Sequence, residues 1–287
     1  MTVAPHFISH APRDLAHWVG LFDPGQLPVL ASTAEALELM RCNEETVDAH
    51  LIAEAIASDP LMTLKLLTHV AKLRRGREGG ETETAIEALV MLGVPPFFAA
   101  FGAQETVEAR LGDHPGALQG FKEVLSRSRR AAQFAISFAV HRMDYDAPVI
   151  YEAALLHDIA ELLLWLQAPA LALQLAARQH ADPQLRSAAV QHELLHVELA
   201  ELEHALMLAW GLPALLVRIT DDHARSVTSQ MRNVQLAIRV ARHSAQGWDN
   251  PALPDDLEDI GKLLNLAPEA AGRLVQGIDL DQGMLQT

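Results

Sequence analysis

A chain of 287 residues, half of them hydrophobic and only 5% aromatic, has room for one large domain or two small ones, and its alanine and leucine content favours packed helices over β-sheet. The formal charge of −15, from 22 basic against 37 acidic residues, disfavours partners bound by phosphate neutralisation, which sets aside nucleic acid and anionic membrane. A single cysteine, Cys42, excludes an internal disulfide framework and a cysteine-based zinc finger, and a reducing cytoplasm is the simplest setting.

No charged stretch followed by an apolar run opens the chain, so no secretory signal is expected. Ser32 with Glu35 and Thr84 with Glu87 have the spacing of capping boxes, which satisfy free amide hydrogens at helix starts. Val47, Leu51 and Ala55 repeat every four residues until Asp59-Pro60 stops or restarts the helix. Residues 74–82 form a Gly-rich polar loop without the Lys-Ser/Thr of a phosphate loop, so no phosphate role is assigned to it. The uncharged stretches 88–103 and 162–177 fall short of the roughly 20 apolar residues a membrane span needs and read as buried helices with their connections.

After a loop around Asp113–Gly116, one helix is predicted over about 120–142, with Phe121, Val124, Leu125, Ala132, Ile136 and Val140 facing inward. Its arginines, Arg127, Arg129 and Arg130, read as a solvated face, with a nucleotide-phosphate contact as the alternative. Pro148 suits the first turn of a helix carrying Ile150, Ala154, His157, Glu161 and Leu164. Asp182-Pro183 opens another running toward Trp210. Val227, Met231, Val234, Ile238 and Ala241 make a buried stripe. The tail, 257–264 and 269–275 around Leu266-Ala267-Pro268, is a packing hairpin too acidic to read DNA.

Three histidine constellations could carry chemistry. In His157-Asp158 one nitrogen and one or two oxygens could meet a metal, but a histidine on an apolar face is usually a hydrogen-bonded core residue. His192-Glu193-Leu194-Leu195-His196 matches H-E-x-x-H, which on a helix places two imidazoles on one face for zinc and a glutamate as general base. No third ligand follows at the metzincin spacing and no edge strand is predicted, so an exposed polar helix face is the simpler reading. Asp221-Asp222-His223 stands near a helix end, where a histidine is favoured by the dipole alone.

Taken in order, these pieces resemble the HDOD family, non-catalytic relatives of HD-domain metal-dependent phosphohydrolases. The markers are Leu27-Pro28, Ile56, the run Ser58-Asp59-Pro60 through Leu67, Ala85-Ile86, Leu92-Gly93, Leu155-Leu156-His157-Asp158-Ile159, Trp210-Gly211-Leu212-Pro213 and a trailing His223. The resemblance spans about Leu27 to Leu280 and implies an all-α, multi-helix HD-domain-like bundle with an N-terminal helical subdomain. Residues 1–20 would be an extension and 21–280 the HDOD domain, with 21–115 its N-terminal half, 116–245 the HD-like half and 246–280 a helical hairpin.

The resemblance also marks what is missing. A working HD site takes a histidine on the helix before the His-Asp pair, where this chain has Leu125 to Arg130. Other ligand positions fall on Leu199 and near Ile238, leaving His157, Asp158 and His223 as a vestigial motif. Ala71-Lys72 stands where many relatives have Asn-Ser. The expectation is a non-enzymatic bacterial signal-transduction module that binds signalling proteins, with no cofactor and no metal; a retained small-ligand pocket and a homo-oligomer are both compatible with it. The alternative is a degenerate phosphohydrolase acting on a nucleotide or phosphodiester through His157, Asp158 and His223, with His180 or His192 joining them. A zinc protease at His192, Glu193 and His196 comes third.

Overall fold

Alanine- and leucine-rich runs between proline and glycine breaks give a chain in which every regular element is helical among the residues described, 7–75, 82–182, 187–221 and 226–285 of a computed structural model. One isolated parallel bridge, Val29 to Thr106, is the sole β-type pairing among them. Packing divides the chain into two units, neither contiguous in sequence: Met1–Val124 with Asp158–Pro213, and Leu125–His157 with Ala214–Thr287.

The first unit opens with α1 (Leu15–Leu21), α2 (Ala31–Arg41), α3 (Ala49–Ile56), α4 (Pro60–Arg74), α5 (Ala85–Leu92), α6 (Val94–Ala100) and α7 (Val107–Arg110). The long α8 (Pro115–His141) belongs to this unit up to Val124 and to the second from Leu125. The second unit takes α9 (Ala147–Leu156). The chain then returns to the first for α10 (Ile159–Gln167), α11 (Pro169–Ala181), α12 (Ser187–Leu195) and α13 (Leu199–Trp210). Finally α14 (Ala214–Ile219), α15 (Ser229–His243), α16 (Leu253–Leu264) and α17 (Pro268–Leu285) complete the second.

In the first unit α4 is the spine, buried from Pro60 through Thr68. Asp59 caps it: Oδ1 accepts the amides of Leu61 (2.9 Å) and Met62 (3.0 Å), while Pro60 has no amide to satisfy. Oδ2 accepts the amide of Leu30 at 2.9 Å, so the same carboxylate fixes the start of α2. Burial pushes this carboxyl upward in pKa, against the opposing pull of the Leu30 and Met62 amides, the Thr33 hydroxyl and the Leu61 amide. Next to Leu30, Val29 exchanges backbone bonds with Glu105 and Val107, and the Ala31 amide meets Glu108 on α7. The N-terminal stretch is docked rather than trailing: the Ile8 amide reaches the Gln167 carbonyl, and fully buried Trp18 donates to the Leu195 carbonyl. Gly120 lets α8 meet Trp165, whose ring would lie 2.4 Å from any Cβ placed there.

Arginines cross-link the second unit. Arg130 makes a two-pronged bond to Asp279 (2.7 and 2.9 Å) and also meets Ser244 and the Ala241 carbonyl. Arg239 and His243 both reach the fully buried Asp256, and Arg232 and Arg239 share Asp259. Gly261 stands close under the Leu266 carbonyl, which allows the tight α16–α17 turn capped by Asn265 in the left-handed region.

Several boundaries differ from the sequence expectation. Helix α2 begins at Ala31, so Ser32 and Glu35 lie inside it and form no capping box. Thr84 does cap α5 through the Glu87 amide, but the Glu87 carboxylate reaches back to Glu83. The inward residues of α3 are Ile52 and Ile56, and Leu51 is exposed. On α8 the expected Phe121, Val124, Leu125 and Ala132 are buried, joined by Phe134, Phe138 and further alanines, while Ile136 is half-buried and Val140 is 63% exposed. Arg130 is an internal tie rather than a solvated residue, and Arg127 and Arg129 are partnered and half-buried. The helix expected from Asp182 to Trp210 is two, α12 and α13, with Pro183 outside the described residues. The stripe on α15 holds except at Val227, which precedes the helix and is exposed. No single described helix is long and apolar enough to cross a membrane; one bent pair, 147–167 with 169–181, passes on length and composition, and most of its apolar residues are buried core.

Asp59→Ala removes a helix cap and strands a buried amide, and should cost about 2–4 kcal/mol. Asp48→Ala, an exposed cap on α3 with one amide, should cost about 1 kcal/mol. Urea denaturation of the two variants checks this; equal losses would mean that the Leu30 tether contributes nothing.

Candidate functional site

The apolar stretch from Ala147 to Gln167 does not run as one helix. It breaks at His157-Asp158: His157 closes α9 with helical dihedrals, and Asp158, at φ −97° and ψ 22°, precedes α10. The Asp158 side chain makes no capping bond to α10. Both residues are buried and both are partnered. The adjacent pair therefore sits in a helix break, where one helix carrying Ile150 through Leu164 was expected, and the chain passes there from the second unit to the first.

The second unit is polar in places where sequence reasoning saw only core. Tyr151 and Glu152 lie on α9 and Arg129 on α8: burial pushes the Tyr151 phenol up in pKa, Arg129 opposes that and Glu152 adds to it. The helix on which the resemblance implies a further histidine ligand carries Arg129 instead. Asn233 on α15 is fully buried and donates to the Ala135 carbonyl at 3.1 Å, while its Oδ1 has no hydrogen-bond partner among the described residues. Ile238 and Leu199, at positions where the resemblance implies ligands, are buried apolar side chains. Asp222 and His223 lie outside the described residues; Asp221 follows α14. Among the described residues no three His, Cys, Asp or Glu side chains are grouped to hold a metal ion.

The H-E-x-x-H residues are each engaged elsewhere. Helix α12 ends at Leu195, and His196 takes a left-handed conformation at φ 63°, beyond the helix. Its Nδ1 donates to the Pro12 carbonyl at 2.9 Å, whereas His192 Nε2 donates to Glu198 at 3.0 Å. Glu193 is paired through both oxygens with Arg178. The i, i+4 geometry that makes the motif a zinc site requires one continuous helix, and α12 stops one residue short of that. His180 is exposed at the end of α11.

Sequence reasoning passed over Lys65. It is 7% exposed on α4 and donates to the Leu27 carbonyl at 2.7 Å and to Gln104 Oε1. Its signal was legible: a lysine inside a run of Leu, Met and Thr, on the buried part of a helix, needs a polar destination.

The family model for the HDOD domain matches residues 27–226. No curated protein matches the chain. Among solved structures, the MmoQ response regulator from Methylococcus capsulatus str. Bath is similar at a TM-score of 0.65 and 19% identity, covering 86% of this chain and 97% of its own. A virulence factor from Campylobacter jejuni subsp. jejuni gives 0.61 and 18%, covering 92% and 90%. At these identities the likeness shows a shared fold.

His157→Ala should lower stability by about 1–3 kcal/mol, because it deletes a buried, partnered imidazole. Thermal denaturation against the parent chain measures it; an unchanged midpoint would show that the imidazole contributes no stability.

Proposed function

This chain belongs to the HDOD domain family, and from that premise we propose that it is a non-enzymatic regulatory module of bacterial signal transduction that acts by binding other proteins. The observation that carries the reading is the state of the His-Asp pair. It is buried in a helix break, and no third described metal-ligating side chain is grouped with it. A hydrolytic metal centre needs several ligands converging on an open coordination position. An arginine, Arg129, stands on the helix that would supply one of them. The fold is shared with a protein described as a response regulator, which supports a signalling role by analogy of fold. The acidic surface, at a net charge of −15, suits protein partners better than nucleic acid or anionic lipid.

The competing reading is a degenerate phosphohydrolase, and it rests on the survival of His157 and Asp158. Metal analysis of the purified full chain, followed by a screen of phosphomonoesters and phosphodiesters with added manganese, separates the two. The regulatory reading expects background metal and no turnover. One metal per chain, lost in His157→Ala together with manganese-dependent hydrolysis, would overturn it.

A further inference from the structure

Helix α4 buries almost everything it carries, yet Lys65, Thr68, His69 and Lys72 fall at i, i+3, i+4 and i+7 and so share one stripe. With Gly25, Phe101 and Gln104 they line a cavity of about 160 Å³ within the first unit. The Lys65 ammonium gives hydrogens to two neutral acceptors, the Leu27 carbonyl and the Gln104 amide oxygen. Among the described residues no carboxylate is bonded to it, and its third hydrogen has no acceptor. Burial pulls its pKa from 10.5 to about 8; Asp59 and Glu105 hold it up, and Arg110 pushes it further down. Glu105 is already paired with Arg110 and Asp59 with three amides, so neither is available to neutralise Lys65 directly.

The rest of the stripe is cationic or donating too. The His69 ring packs edge-on against Phe101 at 5.1 Å, and burial together with Lys72 holds its imidazole below the ordinary value. A neutral imidazole keeps one N–H to give. Neither His69 nor Lys72 has a side-chain hydrogen bond among the described residues. A purely structural account explains Lys65, which ties down Leu27; His69 is half-buried and Lys72 exposed at the rim of the same cavity, and both keep N–H groups to give.

We propose that this cavity binds a small oxyanion, a sulfate- or phosphate-sized group held by Lys65, His69 and Lys72. The volume is on the order of five waters at roughly 30 Å³ each, enough for a sulfate- or phosphate-sized group. In a chain of net charge −15 the general field repels anions, so an anion found here is held by local donors. Lys65, His69 and Lys72 line the same cavity from one helix, beside the Phe101 ring that packs on His69, and charge-assisted bonds are strongest in partly dry surroundings.

The test is calorimetric titration of sulfate into the full chain at pH 7, with chloride matching the ionic strength. Sulfate has no titrating proton near neutral pH, so any pH effect belongs to the protein. Saturable binding of one sulfate per chain is expected, weakened about tenfold by Lys72→Ala or His69→Gln, the size of one charge-assisted bond. Affinity should fall as pH rises through about 8, where Lys65 loses its proton. Lys65→Met should abolish binding; because Lys65 also ties down Leu27, its folding is checked by circular dichroism, and the other two variants decide the matter by themselves. A small phosphomonoester titrated in parallel distinguishes the sources: tighter binding than sulfate points to the head of an organic molecule, and equal binding to the free ion. No saturable binding beyond chloride, or binding that both Lys72→Ala and His69→Gln leave unchanged, would overturn the proposal.

Discussion

The Asp59 carboxylate, closed off from water, holds two helix starts at once, and the first unit is arranged around that double hold. One oxygen takes the first free amides of α4 and the other takes the amide of Leu30, before α2. Once Leu30 is fixed, Val29 lies beside Glu105 and Val107, and Ala31 faces Glu108. The Leu27 carbonyl meanwhile meets Lys65, one turn and a half along α4 from the cap. Two buried charges of opposite sign therefore bracket one short extended segment, each through main-chain groups instead of through the other. Such groups are costly to bury unless every bond is made, and Asp59 makes three to backbone amides.

The second unit solves a different problem. Its helices are tied to one another by arginines. Arg130 joins α8 to α17 and to the end of α15, and Arg239 with His243 joins α15 to α16 through Asp256. The two-pronged Arg130–Asp279 pair is directional and partly buried, which a loose surface pair is not.

Much of the architecture was legible because it depends on period and punctuation. Asp59-Pro60, Thr84, the α15 stripe and the α16–α17 hairpin all follow from local rules that tertiary packing left in force. The failures have a common physical origin. Leu51 and Ile52 are equally apolar neighbours, and only the angle at which α3 meets its partners decides which is buried. Ser32 and Glu35 carry a capping pattern, but the amide of Leu30 was already claimed by Asp59, 29 residues away. The H-E-x-x-H spacing presumes an unbroken helix, whereas His196 turns left-handed and bonds to Pro12, 184 residues away in sequence. Lys65 was read as one letter of a family marker; its chemistry came from Gln104, 39 residues on. Long-range partners are what a one-dimensional pattern lacks.

The bond between Arg130 and Asp279 spans 149 residues, and it sets an order of events as the polypeptide is made. Residues 125–157 leave the ribosome carrying Phe134 and Phe138, which end fully buried, long before α15, α16 and α17 exist to cover them. The first unit can meanwhile gather its own returning helices as far as Pro213. Closing a long loop costs entropy before its contacts repay it, so the second unit is the slower to assemble. During translation this protein therefore holds an unfinished apolar face, a period in which a chaperone has something to grip.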